Sequence, residues 1–285
     1  MVVGKEIAFI GFGEAGLAFA IAGARGFDLR QDPAKREDFE RHGVTACASP
    51  AEAVSGAQVV LSLVTADQAL AAATSAAPHL APNTLWLDLN SVSPETKRAA
   101  AARIEAGGAH YIDVAVMAPV LPKRFEAPLL LAGPHAEAAV EALSAIGFTS
   151  IHTVGGPVGS AASVKMIRSV VIKGIEALSA ECALAADAAG VLPQVIASLN
   201  SSGAPADWAE RLDYNLDRMM VHGTRRSAEM AEVVATLDSL GTGSAMSSAC
   251  AVRQAQIGSL GLASPQGLDA KLVLLKNSHP QKRAA

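Results

Sequence analysis

The apolar run Ile7-Ala8-Phe9-Ile10 leads directly into Gly11-Phe12-Gly13-Glu14-Ala15-Gly16, and the chain continues as Leu17-Ala18-Phe19-Ala20-Ile21. A buried strand, a G-x-G-x-x-G turn and an apolar helix in that order constrain the fold more than any other segment. Gly11 makes the tight turn, Gly13 lets a pyrophosphate approach the backbone, and Gly16 lets helix and strand pack closely. The pyrophosphate would rest on the N–H groups of the helix N-terminus, where the dipole favours negative charge. Gly11, Phe12, Gly13, Glu14, Ala15 and Gly16 are thus the first candidates for binding a dinucleotide. A tight strand–helix turn in an unrelated α/β protein is the alternative reading.

The chain of 285 residues is long enough for two domains with buried cores. Its 51% hydrophobic and 18% charged residues argue against disorder. A net charge of -4 leaves no basic footprint for nucleic acid, and 4% aromatic residues make poor stacking platforms for single strands. The apolar runs are short and interrupted, so neither a transmembrane span nor a signal peptide is expected. Cys47, Cys182 and Cys250 are far apart and odd in number, which fits a reducing, cytoplasmic setting and excludes a C-x-x-C metal site.

Strand-like and helix-like segments alternate through the first half, the pattern of a doubly wound parallel sheet. Strands are expected at Gly26-Phe27-Asp28-Leu29, residues 58–64, 84–89, 110–115 and 128–132. The character changes at Gly155-Gly156-Pro157, after which helical stretches take over. Residues 160–189 hold no proline and one glycine, a helix of some eight turns that Gly190 and Pro193 would stop. Further helices are expected over 207–220 and 227–240, with a frayed tail over 276–285. The expected architecture is an α/β Rossmann domain over residues 1–156 and an all-α domain over 157–285, joined by a long interdomain helix.

Ligands of open α/β sheets bind at the carboxyl ends of the strands. Asp28 falls where an acidic residue would accept hydrogen bonds from a ribose 2′-hydroxyl, which favours NAD; Arg30, two positions on, could instead pair with the 2′-phosphate of NADP. A turn aspartate and a solvated arginine would explain the same two residues. Val64, Thr65 and Asn90 are the remaining cofactor-binding candidates, and Ser91, Met117 and Ala118 belong to strand-end loops that would face a substrate.

Lys165, Ser169 and Lys173 recur at i, i+4 and i+8 with Glu176 three residues on, one stripe of a helix that is otherwise mostly apolar. A partly desolvated lysine has a lowered pKa and can exchange protons near neutrality, which suits removal of a hydroxyl proton while hydride leaves the same carbon. An exposed stripe with a Lys173–Glu176 pair is the bland alternative.

The chain resembles the β-hydroxyacid dehydrogenase family, which includes 3-hydroxyisobutyrate, tartronate semialdehyde and 6-phosphogluconate dehydrogenases. The resemblance rests on Gly11 to Gly16, Asn90-Ser91-Val92-Ser93-Pro94, Asp113-Val114-Ala115-Val116, and Gly159 through Lys165 to Ser169. It covers nearly the whole chain. It implies that Lys165 is the catalytic general acid/base, that Ser169 stands where the family has an asparagine, and that Ser169 and Ser91 position a substrate. It also implies a homodimer through the helical domain. Where the family has Ser-Gly-Gly for a substrate carboxylate, this chain has Met117-Ala118-Pro119, and proline lacks an N–H. The C-terminal part resembles a bacterial subgroup whose helical domain has no known function.

His222, Arg225 and Arg226, with Lys173, could supply the missing anion contact, since arginine binds carboxylate or phosphate bidentately. More mundanely, Arg225 and Glu229 are a surface pair and His222 caps the preceding helix. No residue set has metal-ligand spacing. The expectation is an NAD(P)-dependent oxidoreductase acting on a small, anionic β-hydroxy compound. An imine reductase, in which Asp or Tyr usually replaces the lysine, and a non-catalytic dinucleotide-binding sensor are the rivals.

Overall fold

The computed structural model describes residues 6–201, 207–241 and 243–278, and the chain divides into two compact units, Met1–Met166 and Ile167–Ala285. The first unit holds eight strands in one sheet: β1 (Ile7–Ile10), β2 (Arg25–Phe27), β3 (Thr45–Ala46), β4 (Val59–Ser62), β5 (Leu85–Asp88), β6 (His110–Val116), β7 (Leu129–Ala132) and β8 (Ile151–Thr153). Their spatial order is β3-β2-β1-β4-β5-β6-β7-β8, with the reversal at β1, where a doubly wound sheet opens its ligand crevice. Every residue of β1 and β4 is buried because helices cover both faces. Ile7, Phe9, Leu61, Leu87 and Ile112 enter the core on one face, and Ala8, Ile10, Val60, Trp86 and Tyr111 enter the core on the other.

Three strand expectations need correction. β2 ends at Phe27, so Asp28 lies just beyond it and Leu29 is 70% exposed. β3 and β8 are two or three residues long and carry no apolar run that would announce them. β7 pairs antiparallel with β6, against an all-parallel expectation. The connection from Val116 to Leu129 carries only a one-turn helix, Val120–Lys123, too short to return the chain to the far end of the sheet.

The glycine turn opens a helix of only five residues, Glu14–Ala18, so Phe19 to Ile21 lie past the helix expected there. The long helix runs Ser160–Ala188, and its opening turns belong to the first unit. Gly190 follows with φ +71°, while Pro193 lies in the first turn of the next helix, Leu192–Ser201, where its missing N–H costs nothing. The stretches expected as separate helices are one, Trp208–Ser239, capped by the Asp207 carboxylate on Ala209 and Glu210 N–H. It passes through Gly223 unbroken because a close helix contact lies there. A Cβ at Gly223 would stand 2.6 Å from Gln254 O and 2.8 Å from Gly258 Cα in the helix Ala245–Gly258. Leu212, Leu216, Met219, Ile257, Leu272 and Leu275 fill the core of this second unit, the last two from the helix Leu268–Ser278. Residues 279–285 of the tail lie outside the described residues.

Candidate functional site

The three loop glycines differ in what surrounds them. Gly11 has φ +89°, and a Cβ there would lie 2.5 Å from Leu63 O, so the turn between β1 and the end of β4 has room for no side chain. Gly16 packs on the turn itself, its Cβ position 3.0 Å from Gly11 O and 3.1 Å from the Phe12 ring. At Gly13 a Cβ would meet nothing within 4 Å. Gly11 and Gly16 are demanded by the fold, whereas the opening at Gly13 is the place where a ligand backbone or phosphate can approach. Phe12 contributes only its backbone: the ring is buried and stacks on Phe39 with centroids 4.3 Å apart. Gly13 and Glu14 are exposed beside it.

Two charged side chains hold the Phe12 peptide. Phe12 N–H donates to Asp28 Oδ2 at 2.7 Å, and the buried Lys35 ammonium donates to Phe12 O at 2.9 Å and to Asp38 Oδ2 at 2.9 Å. Asp28 Oδ1 accepts from Arg30 N–H at 2.9 Å, which aims both oxygens from the end of β2. The Arg30 guanidinium pairs with Asp32 at 3.0 Å, and that pairing draws the Asp32 carboxyl below its ordinary range. A cavity of about 310 Å³ opens here, lined by Asp28, Arg30, Gln31, Lys35, Phe39 and Cys47 among others. Burial pushes the Cys47 thiol up, so it stays protonated in that wall. Lys35 was not foreseen; a lysine at the third residue of a helix gives no sequence signal.

Asn90 turns inward. Its Oδ1 accepts from Val64 N–H at 2.7 Å and its Nδ2 donates to Ser62 Oγ at 3.0 Å, so it ties the ends of β4 and β5 together. The Val64 N–H is thereby engaged within the protein, while Thr65 stays exposed at the start of a 3₁₀ turn. One residue past Asn90, Ser91 Oγ accepts a hydrogen bond from Lys165 Nζ at 2.6 Å. Seventy-four positions of sequence separate these two residues, and the fold brings them to the carboxyl edge of the sheet.

Behind the pair lies a buried charge cluster with no counterpart in the sequence reading. Asp88 and Asp113 are register partners on β5 and β6, both fully buried. Lys97, 1% exposed on the helix Pro94–Glu105, donates to Asp88 O at 2.5 Å and Asp88 Oδ1 at 3.0 Å, and stands 3.5 Å from Asp113 Oδ1. Tyr111 O–H donates to Asp88 Oδ2 at 2.6 Å; burial, then the carboxylate charge, pushes this phenol well above its ordinary range. The available signal was an aspartate inside each apolar run, Trp86-Leu87-Asp88 and Ile112-Asp113-Val114, since a buried carboxylate requires a partner.

Met117 N–H donates to Pro128 O at 2.8 Å and Pro119 has no N–H, so two peptides of the 117–119 loop offer no free donor for an anion. In the second unit Ser169 is buried, and the expected cationic cluster separates. Lys173 pairs with Glu229 at 2.6 Å. Arg226 is 7% exposed and pairs with Glu176, which also accepts from Gln254 Nε2 at 3.1 Å. Arg225 keeps a half-exposed side chain, 3.9 Å from Glu229. His222 lies inside the Trp208–Ser239 helix, which runs on through residue 220, so the helix end it was expected to cap is not there. Among the described residues no group of three or more His, Cys, Asp or Glu could hold a metal ion, and no helix is long and apolar enough to cross a membrane.

Residues 6–155 match the family model described as the NAD binding domain of 6-phosphogluconate dehydrogenase, and residues 186–257 match a domain of unknown function, DUF1932. The chain is 26% identical over 218 residues to an NAD-dependent L-serine dehydrogenase of Pseudomonas aeruginosa, covering 72% of each. A conserved hypothetical protein from Sinorhizobium meliloti has a similar structure at 38% identity and TM-score 0.73, with 96% of each chain covered. The fold also matches a Mycobacterium tuberculosis 3-hydroxyisobutyrate dehydrogenase solved with L-serine, at 19% identity and TM-score 0.74, covering 95% of this chain and 98% of that one.

Proposed function

The chain belongs to the β-hydroxyacid dehydrogenase family, an NAD-binding dehydrogenase family, and from that membership we propose that it oxidises the carbinol carbon of a small β-hydroxy acid with Lys165 as the proton acceptor. The observation that carries the proposal is the Lys165 Nζ to Ser91 Oγ hydrogen bond of 2.6 Å at the strand edge where the glycine loop also opens. A lysine in this place needs a hydrogen-bonding partner to hold its amine in one position, and Ser91 supplies it. When bound, the nicotinamide supplies the hydride acceptor. The chain's part is to hold the substrate hydroxyl against Lys165 Nζ, so that the hydroxyl proton passes to the neutral amine as the C–H bond releases its hydride. In the reverse direction the ammonium returns that proton to the carbonyl oxygen.

The Pseudomonas aeruginosa and Mycobacterium tuberculosis enzymes are named for L-serine and 3-hydroxyisobutyrate, both small β-hydroxy carboxylates, which supports the same class here. NAD is the preferred cofactor in this reading. A 2′-phosphate would stand beside the Asp28 carboxylate, and Arg30, the residue suited to meet it, is paired with Asp32. Exposed Val171, Leu178, Met246 and Val252 of the helical unit support assembly as a homodimer. The test is turnover of a panel of β-hydroxy acids followed by NADH absorbance, in the native protein and in Lys165→Met. Loss of a general base lowers the rate about 10²- to 10⁴-fold. Undiminished turnover in the variant, with NADH binding intact, would remove Lys165 from the chemistry.

A further inference from the structure

Lys165 and Ser91 meet from distant parts of the chain, and each is fixed by a backbone turn anchored on a different buried carboxylate. On the Ser91 side, Asp88 Oδ1 accepts from Asn90 N–H at 2.9 Å, which sets the turn that presents Ser91. On the Lys165 side, Asp113 Oδ2 accepts from Gly159 N–H at 3.0 Å and Ala162 N–H at 3.1 Å. Gly159 stands just before the Ser160–Ala188 helix and has no side chain with which to cap it, so Asp113 reaches across from β6 to do so. The first helical turn is therefore held by the sheet, and Lys165 follows within one further turn.

The two carboxylates are register partners on neighbouring parallel strands, buried side by side. Such a pair repels strongly in a low-dielectric interior unless a cation lies between. Lys97 occupies that position, bonded to Asp88 and 3.5 Å from Asp113. The negative charge left over faces the amides of the 159–162 turn, where the helix dipole is positive. We propose that Asp88, Lys97 and Asp113 form a buried brace that positions Lys165 against Ser91, with Lys97 and Asp113 acting as positioning residues rather than catalytic ones. The assignment rests on the reading of Lys165 as the acid/base group, but the brace itself can be tested without turnover.

The test is a double-mutant cycle read on the Lys165 amine. Lys165 acylation by acetic anhydride is measured by peptide mass spectrometry in the native protein, Ser91→Ala, Asp113→Asn and the double variant, with exposed Lys123 as the internal reference. Asp113→Asn is isosteric and keeps an acceptor for the helix amides, so it preserves the fold better than Lys97→Met, which leaves two buried carboxylates unbalanced. Ser91→Ala should raise Lys165 labelling about tenfold or more, the share of a lost hydrogen bond to a charged group, and Asp113→Asn, which replaces a charged acceptor by a neutral one, should raise it about fivefold. The double variant should label no faster than Ser91→Ala alone, because both changes break the same pair. Where a hydroxy acid is turned over, Asp113→Asn should lower kcat while leaving the KM for the dinucleotide unchanged. Unchanged Lys165 labelling in Asp113→Asn, or effects of the two variants that multiply independently, would overturn the brace. Failure of every hydroxy acid to react would instead overturn the dehydrogenase reading and leave the labelling cycle to judge the brace alone.

Discussion

Gly13→Ala separates what the fold requires of the glycine loop from what a cofactor requires. Gly13 has φ -82° and ψ -151°, and a Cβ there meets nothing within 4 Å. Alanine is a poorer helix N-cap than glycine by about 0.5–1 kcal/mol, and restricting the unfolded chain returns about 0.4–1 kcal/mol, so the two effects nearly cancel. At about 2–4 °C per kcal/mol for a domain of this size, the melting temperature should move by less than about 2 °C. Dinucleotide binding should respond differently. A methyl group at the mouth of the turn displaces the pyrophosphate from the backbone N–H groups, and one hydrogen bond to a charged group is worth about 1.5–3 kcal/mol. The dissociation constant for NADH should rise about 10- to 150-fold, measured by fluorescence titration beside a thermal melt. Gly11→Ala is the contrast: φ +89° and a Cβ 2.5 Å from Leu63 O add backbone strain to overpacking, about 2–6 kcal/mol together. Native affinity for NADH in Gly13→Ala would refute the cradle, and a melt lowered as far as that of Gly11→Ala would refute the open approach.

Three further outcomes follow from particular contacts. Asp28→Ser should weaken NADH binding about tenfold and shift preference toward NADPH, read by paired titrations; an unchanged ratio would exclude Asp28 as the selector. Burial, and then the charge of His110 stacked on it at 3.6 Å, holds His135 below its ordinary pKa near 6.5, with Glu105 opposing weakly. The unfolded chain therefore binds more protons below pH 6.5, so stability is full above that pH and declines as pH falls toward the folded value; His135→Asn should flatten that part of a melt-against-pH curve. Cys250 is buried with its thiol pushed up to about 11 and should resist maleimide at pH 7.5, whereas half-buried Cys182 reacts first; faster labelling of Cys250 would mean that the helical unit opens readily.

The elements legible in the sequence were those whose signal is local. Ile7 to Gly16 declares a strand, a turn and a helix because both the apolar run and the glycines lie within ten residues, and Lys165 stands out as a polar group on an apolar helix. The elements that escaped are set by distant partners. β3 and β8 are two or three residues of edge strand defined by what they pair with, and β7 reverses because the 117–128 connection is short. Gly223 reads as a break but marks a crossing with Gly258, information held thirty-five positions away. Lys173 and Arg226 read as ligand-seeking cations because their carboxylates, Glu229 and Glu176, come from other helices.

Asp88 and Asp113 belong to a different case, in which the signal was present and carried a requirement. An ionised carboxylate inside a strand buried on both faces cannot be left alone, so each such aspartate implies a cation or a set of N–H donors somewhere in the fold. A ligand site would have met that demand from outside the protein, whereas here Lys97, Tyr111 and the 159–162 amides meet it from within. The aspartates are consequently occupied within the protein, although Asp88 stands only three residues before Ser91 in the chain. Their internal satisfaction holds the two turns that carry Ser91 and Lys165, whose hydroxyl and amine meet at 2.6 Å at the strand edge.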